Sequence, residues 1–167
     1  MNPIQWLEQT VPGFSDLPTE DREAIFHFAL LWSLFEAKAL HSHASANAIL
    51  ALAHELAAEG KLNASEFQPA LSHFRQRYFA EGSFTENFEG LNLRNNDNPG
   101  LVKQVLRGEN NNHADSVAGL LIVIYRLRNN LFHGIKWAYG IQGQRNNFEQ
   151  ANAALIAALT QLSQHGA

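Results

Sequence analysis

Six consecutive apolar residues, Leu120-Leu121-Ile122-Val123-Ile124-Tyr125, run almost directly into the polar cluster Arg126, Arg128, Asn129, Asn130 and His133. A short apolar run by itself suits a buried strand as well as a buried helix. The surroundings decide for a helix. Asp115 or Ser116 can cap it, the apolar pattern persists to Leu127, and it resumes at Leu131-Phe132. The helix therefore covers about Ala114 to His133, longer than a strand allows. An apolar helix of that length must be enclosed by other elements, and the rest of the chain supplies helices.

Asn2-Pro3 reads as an N-cap with proline at the first helical position, opening a short helix to about Thr10. Thr19, followed by Glu20, Asp21 and Glu23, starts a long helix to about Leu40. An alanine-rich helix spans about Ala44 to Glu59 and stops at Gly60. Ser65 and Gln68 have capping-box spacing for a helix ending near Glu81. Asn98-Pro99 opens another short helix that closes at Gly108, and a last one covers about Asn147 to Gln164, with Leu155, Ile156, Leu159 and Leu162 on its apolar side. Residues 83–98 lack periodicity and are rich in turn formers, so they read as a long loop with room for a short extended piece. The expectation is an all-α, up-down bundle of four main helices with short accessory ones, forming a single domain over residues 1–167.

With no cysteine in 167 residues, thiol catalysis, disulfide frameworks, cysteine-type zinc sites and iron–sulfur clusters are excluded. The first eight residues lack the basic start and apolar core of a signal peptide. The longest strongly apolar stretch, Ala24 to Phe35, is twelve residues and too short to span a bilayer. A cytoplasmic protein without membrane association is expected. The net charge of −4 hides an asymmetry. Residues 1–60 hold eight acidic residues against Arg22 and Lys38. Residues 94–145 hold Arg94, Lys103, Arg107, Arg126, Arg128, Lys136 and Arg145 against Asp97, Glu109 and Asp115. Such a distribution permits an anion-binding patch on an acidic protein without establishing one.

Arginine is costly to bury unpaired, so a polar cluster at the end of the most apolar helix calls for an explanation. Arg128-Asn129, followed after a short spacer by His133 and Gly134, resembles the R-x4-6-H signature of the HEPN superfamily. The all-helical pattern and the place of the motif near the end of a late helix carry the same likeness. The resemblance implies a homodimer in which two such motifs meet in a cleft. It also implies a metal-independent endoribonuclease, a hydrolase of defence or toxin–antitoxin systems, with RNA as substrate and an antitoxin or regulatory protein as partner. The residue types suit that chemistry. Histidine titrates near neutrality and serves as general acid or base. Arginine keeps its charge and presents a planar fork to phosphate oxygens. Asn129 can orient the histidine or donate to phosphate, and no cofactor or metal is called for.

Two assignments of the arginine stay open. On an ideal helix Arg128 lies about 140° from His133, whereas Arg126 shares its face within about 20°. Arg128 is preferred because the asparagine follows it; Arg126, with Asn130, is a supporting candidate. Glu36 continues the stripe Ile25, Ala29, Trp32 and is either a partner of a late-helix arginine or solvated beyond the core. Some HEPN toxins carry a modifiable tyrosine two residues after the histidine. Here that place is Ile135, so this mode of control is not carried over. His41-Ser42-His43 and the other histidines lack metal-ligand spacing and read as structural or surface residues. Phe67, Phe74, Tyr78 and Phe79 read as core, not as a base-stacking platform. The rival to the ribonuclease is a non-catalytic HEPN-like module that binds a protein or nucleotide and uses Arg128 and His133 structurally.

Overall fold

The computed structural model describes residues 2–133 and 140–164. The chain is mostly helical. Helices α1 (Pro3–Thr10), α2 (Thr19–Ala39) and α3 (Ala46–Ala58) are followed by a 3-10 turn at Ala64–Phe67 and α4 (Gln68–Tyr78). A two-stranded hairpin, β1 (Phe79–Ala80) and β2 (Ser83–Phe84), leads to a one-turn α5 (Glu86–Glu89) and a second 3-10 turn (Asn95–Asp97). Helices α6 (Pro99–Arg107), α7 (His113–Phe132) and α8 (Arg145–Ser163) complete the described chain. None of these helices is long and apolar enough to cross a membrane.

Helix α7 is the axis of the core, with fifteen of its twenty residues buried on all sides. It has no single apolar stripe, as a helix surrounded by others needs none. Helix α3 packs along one side and α6 on another, while α2 lies along α8. The α2–α8 seam places the Phe28 and Phe148 rings 5.1 Å apart and lets the Asn152 amide donate to the Ala24 carbonyl at 3.1 Å. Because Phe148, Ala151, Leu155 and Ala158 form the buried stripe of α8, Ile156 falls to its outer side and is exposed, against the sequence expectation.

Three further expectations are corrected by local chemistry. Asn112, not Asp115 or Ser116, caps α7: its side-chain oxygen accepts from the Asp115 amide at 2.9 Å. Asp115 is instead held by His54 at 2.7 Å and Asn110 at 3.1 Å, and Ser116 Oγ donates to the Asn110 carbonyl. Ser65 does not cap α4, because its hydroxyl donates to Asn63 Oδ1 at 2.6 Å. Helix α4 stops at Tyr78 because Glu81 and Gly82 both take positive φ (53° and 80°), the two-residue turn that matches strand twist. This turn pairs Phe79 with Phe84 and breaks the stretch expected as a loop into β2, α5 and the second 3-10 turn. Phe84 is set between Phe79 (5.2 Å) and Phe88 (4.2 Å), so aromatic packing supplies order where periodicity gave no signal.

Two residues in this frame give measurable consequences. A Cβ on Gly119 of α7 would lie 2.7 Å from Val105 Cγ2 and 2.8 Å from Val105 Cβ on α6. Alanine favours an open helix position by about 1 kcal/mol over glycine. Here overpacking of about 1–3 kcal/mol opposes it. Gly119→Ala is therefore expected to lower the urea midpoint, and Val105→Ala in the same background to restore part of it. A raised midpoint for the single variant would show that α6 moves away freely. The second residue is Tyr78, buried and stacked on Phe74 with ring centroids 6.0 Å apart. Burial pushes its hydroxyl up to about 12, although the Arg77 guanidinium pulls it down. The folded chain thus holds this proton more tightly than the unfolded chain, whose tyrosines ionise near pH 10. The associated stability, about 3 kcal/mol for two pH units, is full below pH 10 and is lost as pH rises through 12. Absorbance at 295 nm should show Tyr78 ionising only as the fold melts, a late step absent from Tyr78→Phe. Ionisation of all the tyrosines near pH 10 with the fold intact would contradict this assignment.

Candidate functional site

The polar cluster at the C-terminal end of α7 separates into two faces, following four-residue helical spacing. Arg126 and Asn130 turn toward the segment between α5 and α6. The Arg126 guanidinium lies 3.3 Å from the Asp97 carboxylate and donates through Nε to the Leu91 carbonyl at 3.1 Å. Arg126 and Asp97 are each 3% exposed. Asn130 Nδ2 donates to the carbonyls of Gly90 (2.9 Å) and Leu91 (3.3 Å). Every one of these groups is committed to holding an irregular segment against the core. Arg126 therefore does not accompany His133 at a surface site: its charge is neutralised and enclosed, although an ideal wheel puts the two on one face.

Arg128 and Phe132 occupy the other face. Arg128 Nη1 donates to the side-chain oxygen of Asn129 at 2.9 Å, and its Nη2 lies 3.7 Å from Glu36 Oε2. The guanidinium sits over the Phe132 ring at 5.2 Å, a cation–π contact. Its Nε is buried with no hydrogen-bond partner among the described residues. Glu36 is not solvated beyond the core. The same Oε2 accepts from the Trp32 indole at 2.9 Å, and Trp32 stacks on Tyr125 of α7 at 5.8 Å. Trp32, one helical turn before Glu36, was the sequence signal that this carboxylate is held in place.

His133 follows the last helical residue, and its backbone amide closes α7 on the Asn129 carbonyl at 2.9 Å. The imidazole is exposed and has no hydrogen-bond partner among the described residues. Asn129 does not orient it, because the Asn129 side-chain oxygen is taken by Arg128. Phe132, expected to rejoin the apolar stripe, is 56% exposed. A second uncovered apolar strip runs along α2 at four-residue spacing, through Phe26, Leu30 and Leu34, on the helix that carries Glu36.

Among the described residues, the basic side chains of 94–145 do not form one patch. Arg126 is enclosed by Asp97, Arg107 lies 3.9 Å from Glu109 and over the Phe84 ring, and Arg145 pairs with Glu149 at 2.6 Å. The Glu149 carboxylate, through its hydrogen bond and charge, raises the Arg145 pKa further. Among the described residues no group of three His, Asp or Glu side chains is arranged to hold a metal ion. Gly134, Ile135 and Lys136 lie outside the described residues. Comparison of the chain with family models, curated proteins and solved structures gave no match.

Proposed function

We propose that this chain is a HEPN-like, metal-independent endoribonuclease that acts as a cytoplasmic homodimer in a defence or toxin–antitoxin setting. The observation that carries the reading is an exposed imidazole at the end of α7, without a hydrogen-bond partner among the described residues, five residues beyond a partly open arginine. His133 removes the proton from an RNA 2′-hydroxyl. The 2′-oxygen attacks the adjacent phosphorus, and the bond to the 5′-oxygen breaks. A proton from the His133 of the second copy goes to that leaving oxygen. Arg128 neutralises charge on the phosphorane, while Asn129 holds one end of its guanidinium. The uncovered strip of Phe26, Leu30 and Leu34 offers apolar area for the dimer contact.

One observation favours the second reading, a non-catalytic HEPN-like module that binds a protein or nucleotide. Glu36 lies within ion-pair distance of Arg128 and competes with any phosphate for it. Incubating purified protein with varied RNAs in EDTA separates the two. The ribonuclease leaves 2′,3′-cyclic phosphate and 5′-hydroxyl ends; intact RNA across all substrates supports the binding module.

A further inference from the structure

At the opposite end of α7 a cavity of about 190 Å³ opens between α4, the end of α6 and the start of α7. Its apolar floor includes Phe67 and Leu71, its rim carries Gln68, Asn111 and His113, and one charged side chain, Arg75, lines it. Twenty residues at about 1.5 Å rise put it about 30 Å from His133, so it is a separate site.

The arginine is fixed but not neutralised. Arg75 Nε donates to the Val105 carbonyl at 2.8 Å, which holds the guanidinium plane. Neither of its terminal nitrogens has a partner among the described residues, and no carboxylate lines the cavity. Partial burial pulls its pKa below the ordinary value. Asp115, the acid in the first turn of α7, is held by His54 and by Asn110, itself a lining residue, and does not line the cavity. The side-chain amides of Gln68 and Asn111, the His113 imidazole and the His113 backbone amide are all without partners among the described residues. His113 is the first residue of a twenty-residue helix, where the helix dipole adds positive potential. Elsewhere in this protein Arg126 sits against Asp97, Arg128 against Glu36 and Arg22 against Glu8, while half-buried Arg77 lies over the Tyr78 ring with its Nε unpartnered among the described residues.

We propose that this cavity binds the oxyanion group, phosphate or carboxylate, of a small molecule, with Arg75 as its principal ligand and the Gln68, Asn111 and His113 donors around it. The apolar floor then accepts the non-ionic part of the molecule.

Titration of the ¹⁵N-labelled full chain with inorganic phosphate and with acetate, at ionic strength held by chloride, tests this. The expected result is a saturable shift confined to Arg75 Nε–H and the amides of Asn111 and His113. Preference for phosphate or for acetate identifies the group recognised. Arg75→Gln should weaken binding about tenfold or more. Gln68→Glu, at an exposed helix position that tolerates an acid, should do the same by supplying Arg75 with an internal counter-ion. Shifts that never saturate, that spread to exposed Arg94 and Lys103, or that persist in both variants would overturn the site.

Discussion

Arg126→Ala is expected to lower the unfolding free energy by about 3–5 kcal/mol, because it leaves the Asp97 carboxylate buried without its counter-charge. The same substitution removes the donor to the Leu91 carbonyl. Among the described residues Asp97 then retains only the Arg94 amide, at 2.8 Å. Urea unfolding followed by circular dichroism reads the loss. The double variant Arg126→Met with Asp97→Asn should recover much of it, since neither charge is then stranded and the volume is nearly kept. A loss below about 1 kcal/mol for the single variant, the range of exposed pairs, would show that water reaches the pair. That outcome would restore Arg126 as a surface cation.

His133→Ala is expected to have the opposite profile. The imidazole is exposed and unbonded among the described residues, so the melting temperature should hardly change. If the ribonuclease reading holds, RNA cleavage should fall by about 10²–10⁴-fold, the usual worth of a positioned acid or base. Arg128→Lys keeps the charge but not the fork, and should lose cleavage while leaving the fold close to intact. Glu36→Gln releases Arg128 from its competitor while the Trp32 indole keeps an acceptor. Under the ribonuclease reading it should preserve or raise activity. A fall in melting temperature with His133→Ala and no change in phosphodiester chemistry would favour the structural reading. The separation matters because Arg126 and His133, seven residues apart, differ in surroundings: one is enclosed with a buried carboxylate, the other is exposed.

The helices were legible because their signals are local. Asn2-Pro3 gives a capping box and proline start at the position read from the sequence, and Gly60 and Gly108 end their helices at positive φ. What the sequence concealed depends on distant partners. Nothing in Arg126-Leu127-Arg128 says which arginine meets Asp97 and which meets Glu36, since those carboxylates lie on segments far apart in the chain. The ideal wheel misled for a related reason. It compares His133 with Arg126 by angle, but burial removes Arg126 from the surface before angle matters. Capping departs from the sequence reading where several polar side chains compete: Asn112 accepts the Asp115 amide, while the Asp115 side chain is held by His54 and Asn110. The cavity around Arg75 went unread because its defining property is a missing carboxylate, which no motif records.

The segment from Gly90 to Asp97 has a consequence for how this chain can vary. Surface connections ordinarily absorb added or deleted residues, because closing a longer loop costs little. Here the carbonyls of Gly90 and Leu91 and the carboxylate of Asp97 are held by donors that α7 sends out from the core. A one-residue change in length between Leu91 and Asp97 would leave an arginine or an asparagine buried without its partner. This stretch looks like a loop in composition, but its length is as constrained as that of a strand in a sheet.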